Sequence, residues 1–193
     1  MKKIWITALC LLLLSGCGSA RQGASLQEQY AAVTGAELTA EITCHLPDEK
    51  RQYQVTCTYD AENSSEIVIT APAELAGVKA TVSGDDLTLT YEDLALSAGT
   101  VEAISPVNCL PWLMHAAASG YVLEEGRETV EDRDCLRMAF DTTGPDGDKV
   151  LCTTWFDRET LFPVYSELSL DGQLRLSVKV ISFTVETEAP AEP

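Results

Sequence analysis

The sequence predicts an α+β domain: one large, strongly curved antiparallel sheet of about 10–11 strands, one short N-terminal helix, and one apolar helix covering the concavity. Three observations carry this. From Ala36 onward, apolar and polar residues alternate with a period of two through a long series of short segments. The links between them are Gly, Pro, Asn or Asp turns, far shorter than the dozen or more residues a parallel crossover requires. The alternation is interrupted once, by a nearly all-apolar stretch at helical spacing. A sheet of that length must curl or close, and the apolar helix is placed to fill the hollow.

The elements follow in chain order. Residues 17–25 (Cys-Gly-Ser-Ala-Arg-Gln-Gly-Ala-Ser) are small and polar and read as a tether. Ser25-Leu26-Gln27-Glu28 has the spacing of a capping box. Leu26, Tyr30 and Val33 then share a helical face, which predicts a helix over about 26–34 stopped by Gly35. Strands are predicted at 37–46, 51–60, 65–71, 78–82, 87–91 and 94–96, with Ser83-Gly84-Asp85-Asp86 as a hairpin turn. In 104–119, Leu110, Leu113, Met114, Ala117 and Ala118 fall at helical spacing, with Pro111 in the first turn and Gly120 after the end. Strands resume at 121–125 and 128–130 around Gly126, then at 135–141, 150–156, 164–170 and 174–185. Asp171-Gly172 signals a type I′ hairpin. Residues 186–193 are acidic and proline-bearing and read as a disordered tail.

The first seventeen residues are of another kind. Lys2 and Lys3 precede an apolar run from Ile4 to Leu14, long enough for export and too short to span a bilayer, which needs about 20 residues. The run ends in Leu14-Ser15-Gly16-Cys17, which resembles the lipobox of bacterial lipoproteins. The resemblance implies a signal peptide over 1–16 and a mature chain that begins at a lipidated Cys17. It also implies an extracytoplasmic domain held to the membrane through that lipid.

Removing residues 1–16 leaves 177 of 193, enough for one domain with a core. It also removes two lysines, so the net charge of −17 becomes −19. So acidic a chain is not a nucleic-acid binder, which needs clustered Lys and Arg. An anionic membrane surface would repel it, so attachment falls to the lipid.

Five cysteines remain after Cys17: Cys44, Cys57, Cys109, Cys135 and Cys152. None shows Cys-x-x-Cys spacing, so no metal site is expected among them. Cys44 and Cys57 flank a turn over 47–51 and are candidates for a disulfide across the hairpin. The alternative is that all five are buried free thiols. His45 and His115 are the only histidines of the chain. His115 lies six residues after Cys109, a spacing that puts them on different helical faces, so no Cys–His dyad is indicated. Asp146-Gly147-Asp148 lacks the other ligands of a calcium loop. No catalysis and no cofactor are expected.

Three stretches resemble the LolA/LolB/LppX-like superfamily of bacterial lipoproteins. Thr70-Ala71-Pro72-Ala73-Glu74-Leu75-Ala76-Gly77-Val78, followed by Asp86 to Leu94, is similar to its P-x-x-L-x-G…L-x-x-x-Y-x-x-L segment. Trp155 to Val164 (Trp-Phe-Asp-Arg-Glu-Thr-Leu-Phe-Pro-Val) is similar to its W-x-D-x-x-T-x-x-P turn. Asp171-Gly172-Gln173 matches its final hairpin. The resemblance spans about residues 26–185 and implies a half-open β-barrel, with helices closing the mouth. It further implies an interior that holds lipid or another apolar ligand, with Leu110, Trp112, Leu113, Met114 and Trp155 as candidate lining. An alternative is a scaffold that supports an envelope protein partner, such as a cell-wall or spore-cortex hydrolase. The arginine that the superfamily's soluble carrier uses in its cargo cycle has no assigned equivalent here, so shuttling is not implied.

Overall fold

The computed structural model describes residues 20–187 except 85, 93, 101–103 and 144–148. The predicted signal peptide, Cys17, Asp146-Gly147-Asp148 and residues 188–193 lie outside the described residues. Eleven strands form one antiparallel sheet in the order β6-β5-β4-β3-β2-β1-β11-β10-β9-β8-β7. They are β1 (Val33–His45), β2 (Lys50–Asp60), β3 (Ser65–Ala71), β4 (Lys79–Ser83), β5 (Asp86–Tyr91), β6 (Leu94–Thr100), β7 (Tyr121–Val130), β8 (Arg133–Thr143), β9 (Lys149–Asp157), β10 (Pro163–Leu170) and β11 (Gln173–Thr187). Among the described residues, two α-helices accompany them, α1 (Ala20–Ala31) and α2 (Cys109–Ser119). Every neighbouring pair is consecutive in the chain except β1 and β11, which join the two runs at the centre of the sheet. The sheet is curved and does not close, and β6 and β7 are its outer edges.

The alternation read from the sequence becomes burial. In β1, Ala36, Leu38, Ala40 and Ile42 are buried, with Glu37 and Glu41 between them facing out. Ile67 and Ile69 of β3, Leu136, Met138 and Phe140 of β8, and Leu176 and Val178 of β11 continue one core that includes both helices. Each such Leu, Ile, Phe or Met stabilises the fold by roughly 1.5–3 kcal/mol through removal from water.

Three local differences from the sequence reading have physical causes. First, α1 covers Ala20–Ala31 and so takes in part of the predicted tether. Ser25 is therefore in mid-helix, and Gly35 lies in β1 opposite Asp60. The helix extends backward because its first turns pack on the sheet: a Cβ at buried Gly23 would come within 2.6 Å of Glu125 Oε2 and 3.0 Å of the Met138 methyl. Leu26 and Tyr30 form the buried face of the helix as predicted, whereas Val33, also buried, belongs to β1 and not to the helix. Second, β7 runs unbroken through Gly126, and the reversal into β8 occurs at Glu131-Asp132, with φ of 48° and 63°. That pair of left-handed residues makes the tight hairpin that Asp171-Gly172 (φ 51° and 74°) makes between β10 and β11. Third, β11 extends to Thr187, into the predicted tail.

The two motifs are turns with defined work. In Pro72–Gly77 a short 3₁₀ turn (Ala73–Leu75) leads to Gly77, whose φ of 89° suits glycine and whose N–H donates to the Ile69 carbonyl at 2.9 Å. The Tyr91 ring lies 3.9 Å from where a Cβ would stand on Gly77, so the motif's glycine and tyrosine meet. In the later motif, Asp157 Oδ1 accepts from the N–H groups of Glu159 and Thr160 and from the Thr160 hydroxyl at 2.9–3.1 Å. These bonds, the Thr160 N–H first, hold the Asp157 carboxyl below the usual carboxylate range. The Tyr30 hydroxyl of α1 donates to the Leu161 carbonyl at 3.0 Å, fastening the helix to this turn.

Candidate functional site

The site is built on α2. Its sequence, Cys-Leu-Pro-Trp-Leu-Met-His-Ala-Ala-Ala-Ser, buries Cys109, Leu110, Leu113, Met114, Ala116 and Ala117. Pro111 sits in the first turn, where no intrahelical N–H is required. Asn108 precedes it and accepts the Ser105 N–H on its own side-chain oxygen at 2.8 Å. The far end is fixed by Gly120, where a Cβ would lie 2.5 Å from the Ala116 carbonyl oxygen and 2.9 Å from Phe140 Cβ. The φ of Gly120 is −63°, so its role is close approach, and its carbonyl accepts from Gln27 Nε2 of α1 at 2.8 Å. Midway, the Trp112 indole N–H donates to Thr142 Oγ1 at 3.0 Å, and that hydroxyl donates to the Val150 carbonyl at 3.1 Å.

One flank of α2 borders a cleft of about 640 Å³. Its walls come from two widely separated parts of the sheet. The end of β2, the start of β3 and the β4–β5 turn form one side; the start of β7 and the end of β8 form the other. Curvature of the sheet brings these wings to face each other across the helix. Tyr59, Asp60, Trp112, His115, Tyr121 and Asp141 are among the residues that border the cleft; along β8, Thr142 faces α2, whereas Asp141 falls on the face of Arg137 and Trp155. Asp60 is organised by its own turn, accepting from the N–H groups of Glu62 and Asn63 at 2.9 Å and from the Asn63 amide. Those bonds, the Asn63 amide first, lower its pKa and keep it ionised. His115 Nε2 lies 3.3 Å from Ser119 Oγ one turn along α2.

The candidate lining residues do not stay together. Leu110, Leu113 and Met114 are 0–1% exposed and fill the concavity beneath α2. Trp112 alone among the candidates borders the cleft. Trp155 lies on the opposite face of the sheet. Its strand neighbour Phe156 enters the main core, whereas Trp155 packs with Cys135 and Val164 in a separate cluster. There its indole N–H donates to Glu128 Oε2 at 2.8 Å, and the Arg137 guanidinium stands 5.7 Å from its ring. Tyr59, Asp60, Tyr121 and Asp141 were not singled out from the sequence. They occupy strand ends whose convergence depends on the sheet's curl.

The proposed Cys44–Cys57 bridge is corrected by the register. The turn after His45 sets Cys44 opposite Arg51 and Cys57 opposite Leu38, six residues further along the ladder. Six residues of strand span roughly 20 Å, whereas a disulfide joins Cα atoms about 4.4–6.8 Å apart. Both cysteines are free thiols, as are Cys109, Cys135 and Cys152. Burial pushes the Cys57 thiol up to about 12 and the Cys152 thiol to about 11, and holds Cys109 well above its ordinary value. His45, at the end of β1, has Nε2 2.7 Å from Ser177 Oγ. Among the described residues, no group of three or more His, Cys, Asp or Glu is placed to hold a metal, and no helix is long and apolar enough to cross a membrane.

Comparison with known proteins shows the class of architecture: an open antiparallel half-barrel carrying a helix in its mouth. That fold is shared with neighbours of known structure that have little sequence in common with this chain. A conserved protein from Thermus thermophilus superposes with a TM-score of 0.53 at 8% identity, over 89% of this chain and 90% of that one. An outer membrane lipoprotein-sorting protein domain from Vibrio parahaemolyticus superposes with a TM-score of 0.50 at 10% identity, over 88% of this chain and 93% of that one. A LolA superfamily protein from Nitrosomonas europaea aligns at 15% identity over 86% of this chain and 94% of that one, with a looser TM-score of 0.46 that adds no weight. At these identities the likeness is one of fold alone. No family model and no curated protein matches the chain.

Proposed function

We propose that this protein is a non-catalytic lipoprotein of the cell envelope, anchored through Cys17 on the extracytoplasmic face, that binds an amphiphile at the mouth of its half-barrel. The observation that carries the reading is the 640 Å³ cleft where α2 meets both wings of the sheet. Its mixed aromatic and polar walls suit the polar end of an amphiphile. The apolar end would follow α2 inward and take the space that Leu110, Leu113 and Met114 now fill, which requires the helix to lift. Hydrophobic and aromatic walls with a few placed polar groups are the usual make-up of a small-molecule site. The Leu-Ser-Gly-Cys segment supports the anchored location.

The test is mass spectrometry of the full-length protein purified from membranes, intact and after organic extraction. Diacylglyceryl mass on a chain starting at Cys17, together with a stoichiometric extracted amphiphile, is the expected result. An unmodified chain refutes the anchor; a modified chain with no extractable amphiphile, and none taken up from added lipid, refutes the binding role.

A second reading, support of an envelope protein partner, is favoured by β6. This outer strand carries no charged residue, and Leu94 and Leu96 are exposed on it. Such an edge can accept another strand. A Leu96→Lys variant that loses a co-purifying partner while retaining amphiphile binding would establish it.

A further inference from the structure

We infer that the outer wing of the sheet, β4 to β6, seats a basic amphipathic helix of a partner protein. This rests on the second reading above and adds the place and the chemistry of the partner segment. The register sets Ile67, Ala80, Leu89 and Leu96 in one row across β3 to β6, with Tyr91 beside Leu94 on the same face. Ala80 is fully buried, and Val82, Leu87 and Leu89 pack partly against the main core. Beyond them that face runs out uncovered: Tyr91 is 45% exposed, Leu96 66% and Leu94 76%. The reverse face of the same strands carries Lys79, Thr81, Thr88, Thr90 and Ser97. A contiguous exposed apolar patch on a wing that is otherwise polar marks an interaction surface. Leu94 and Leu96 are bare on the face of the sheet, so the occupant has to lie across it. The apolar area measures roughly 14 Å along β5 and roughly 10 Å across three strands, the footprint of a helix of about three turns.

The rim sets the charge of the occupant. Glu74 in the β3–β4 turn and Glu92 in the β5–β6 turn stand at one end of the wing and Asp86 at the other, all three exposed. Residues 65–100 hold six acids against one base, Lys79, which lies on the reverse face and pairs with Glu66 at 2.9 Å. A second copy of this chain would bring like charge to both ends, and so would an anionic membrane surface. A helix whose apolar face is flanked by Lys or Arg meets apolar surface in the middle and opposite charge at each end.

The experiment is calorimetric titration of the whole mature polypeptide, Cys17 to Pro193, with two synthetic helical peptides that share one leucine face. The polar face is lysine in one and glutamate in the other. The lysine peptide should bind about tenfold or more ahead of the glutamate peptide at low salt, and the gap should narrow as salt is added. Leu96→Ser, at a side chain already mostly in water, should leave the fold intact and weaken the lysine peptide about three- to tenfold. Glu74→Gln with Glu92→Gln should weaken it about threefold. Leu123→Ser on β7 and Glu37→Gln on β1 are matched changes away from the wing and should alter neither peptide. Equal affinity of the two peptides, no binding of the lysine peptide, or equal losses from the two controls would overturn the inference. Each of these leaves the second reading to its own co-purification test with Leu96→Lys. Binding to phosphatidylcholine vesicles that Leu96→Ser abolishes would assign the wing to lipid and overturn the inference as well.

Discussion

Trp112 and Thr142 are joined by a hydrogen bond of 3.0 Å that ties the middle of α2 to the end of β8. The Thr142 hydroxyl donates in turn to Val150, so the tie reaches β9. Any ligand that lifts α2 must break this bond. Trp112→Phe removes the donor and leaves Thr142 satisfied by Val150, so it should cost about 1 kcal/mol and speed ligand uptake. Thr142→Val leaves a half-buried indole N–H without its acceptor and should cost more, about 1–3 kcal/mol. Urea unfolding of the two variants checks the order, and stopped-flow binding checks the rate. Equal stability of both variants and the parent would show that the tie contributes nothing.

Gly120, directly after α2, lies close against Phe140 of β8. A methyl there meets the Ala116 carbonyl at 2.5 Å and Phe140 Cβ at 2.9 Å, and neither atom is the free end of a side chain. Gly120→Ala should therefore destabilise by about 1–3 kcal/mol, against the usual gain from replacing a glycine at a φ that alanine accepts. Thermal unfolding distinguishes the signs, because a raised midpoint would mean that the contact relaxes without cost.

Leu113 discriminates a packed interior from a standing cavity. It is 0% exposed in the main core. Leu113→Ala should cost about 2–5 kcal/mol through lost burial and the void left behind. A loss under about 1 kcal/mol in equilibrium denaturation would mean that the space beneath α2 is already loose.

The sheet was legible in the sequence because burial on one face imposes a period of two, and because short turns forbid crossovers. Ile67 and Ile69 in β3, and Leu136, Met138 and Phe140 in β8, are plain instances. The apolar helix was legible for the same reason, since a helix without a polar face has to be covered. Less visible was which side of a strand faces inward when both carry large apolar groups. Trp155 and Phe156 are adjacent aromatics, and only the packing against Cys135 and Val164 sends Trp155 to the convex face. The cleft itself was not legible. Tyr59 and Asp141 lie 82 positions apart on strands that are not neighbours, and their approach depends on the curl of the whole sheet. The helical backbone before Ser25 was hidden too, because it rests on tertiary contact at Gly23 rather than on a local capping signal.

The free cysteines set the response to thiol reagents and to alkali. Cys57, Cys109, Cys135 and Cys152 are 0–2% exposed, whereas Cys44 is half-buried. Native protein from Gly18 onward should react with a maleimide first at Cys44, and with all five only in denaturant. Counting adducts by mass checks this, and rapid modification of Cys57 in the native state would contradict the packing. The pH dependence has a definite sign. Burial raises Cys57 from an ordinary 9.0 to about 12 and Cys152 to about 11. Below pH 9 both thiols are neutral whether folded or unfolded, and their contribution is fully present. Above it the unfolded chain releases protons that the folded chain retains, so stability falls as pH rises toward 11 and 12. Cys57→Ala lowers stability at every pH by removing buried volume. It should also flatten the alkaline fall by up to one proton, roughly 1.4 kcal/mol per pH unit between the two values. Urea titrations at pH 8, 9, 10 and 11 measure that slope, and an unchanged slope in the variant would mean that the Cys57 thiol ionises as readily folded as unfolded.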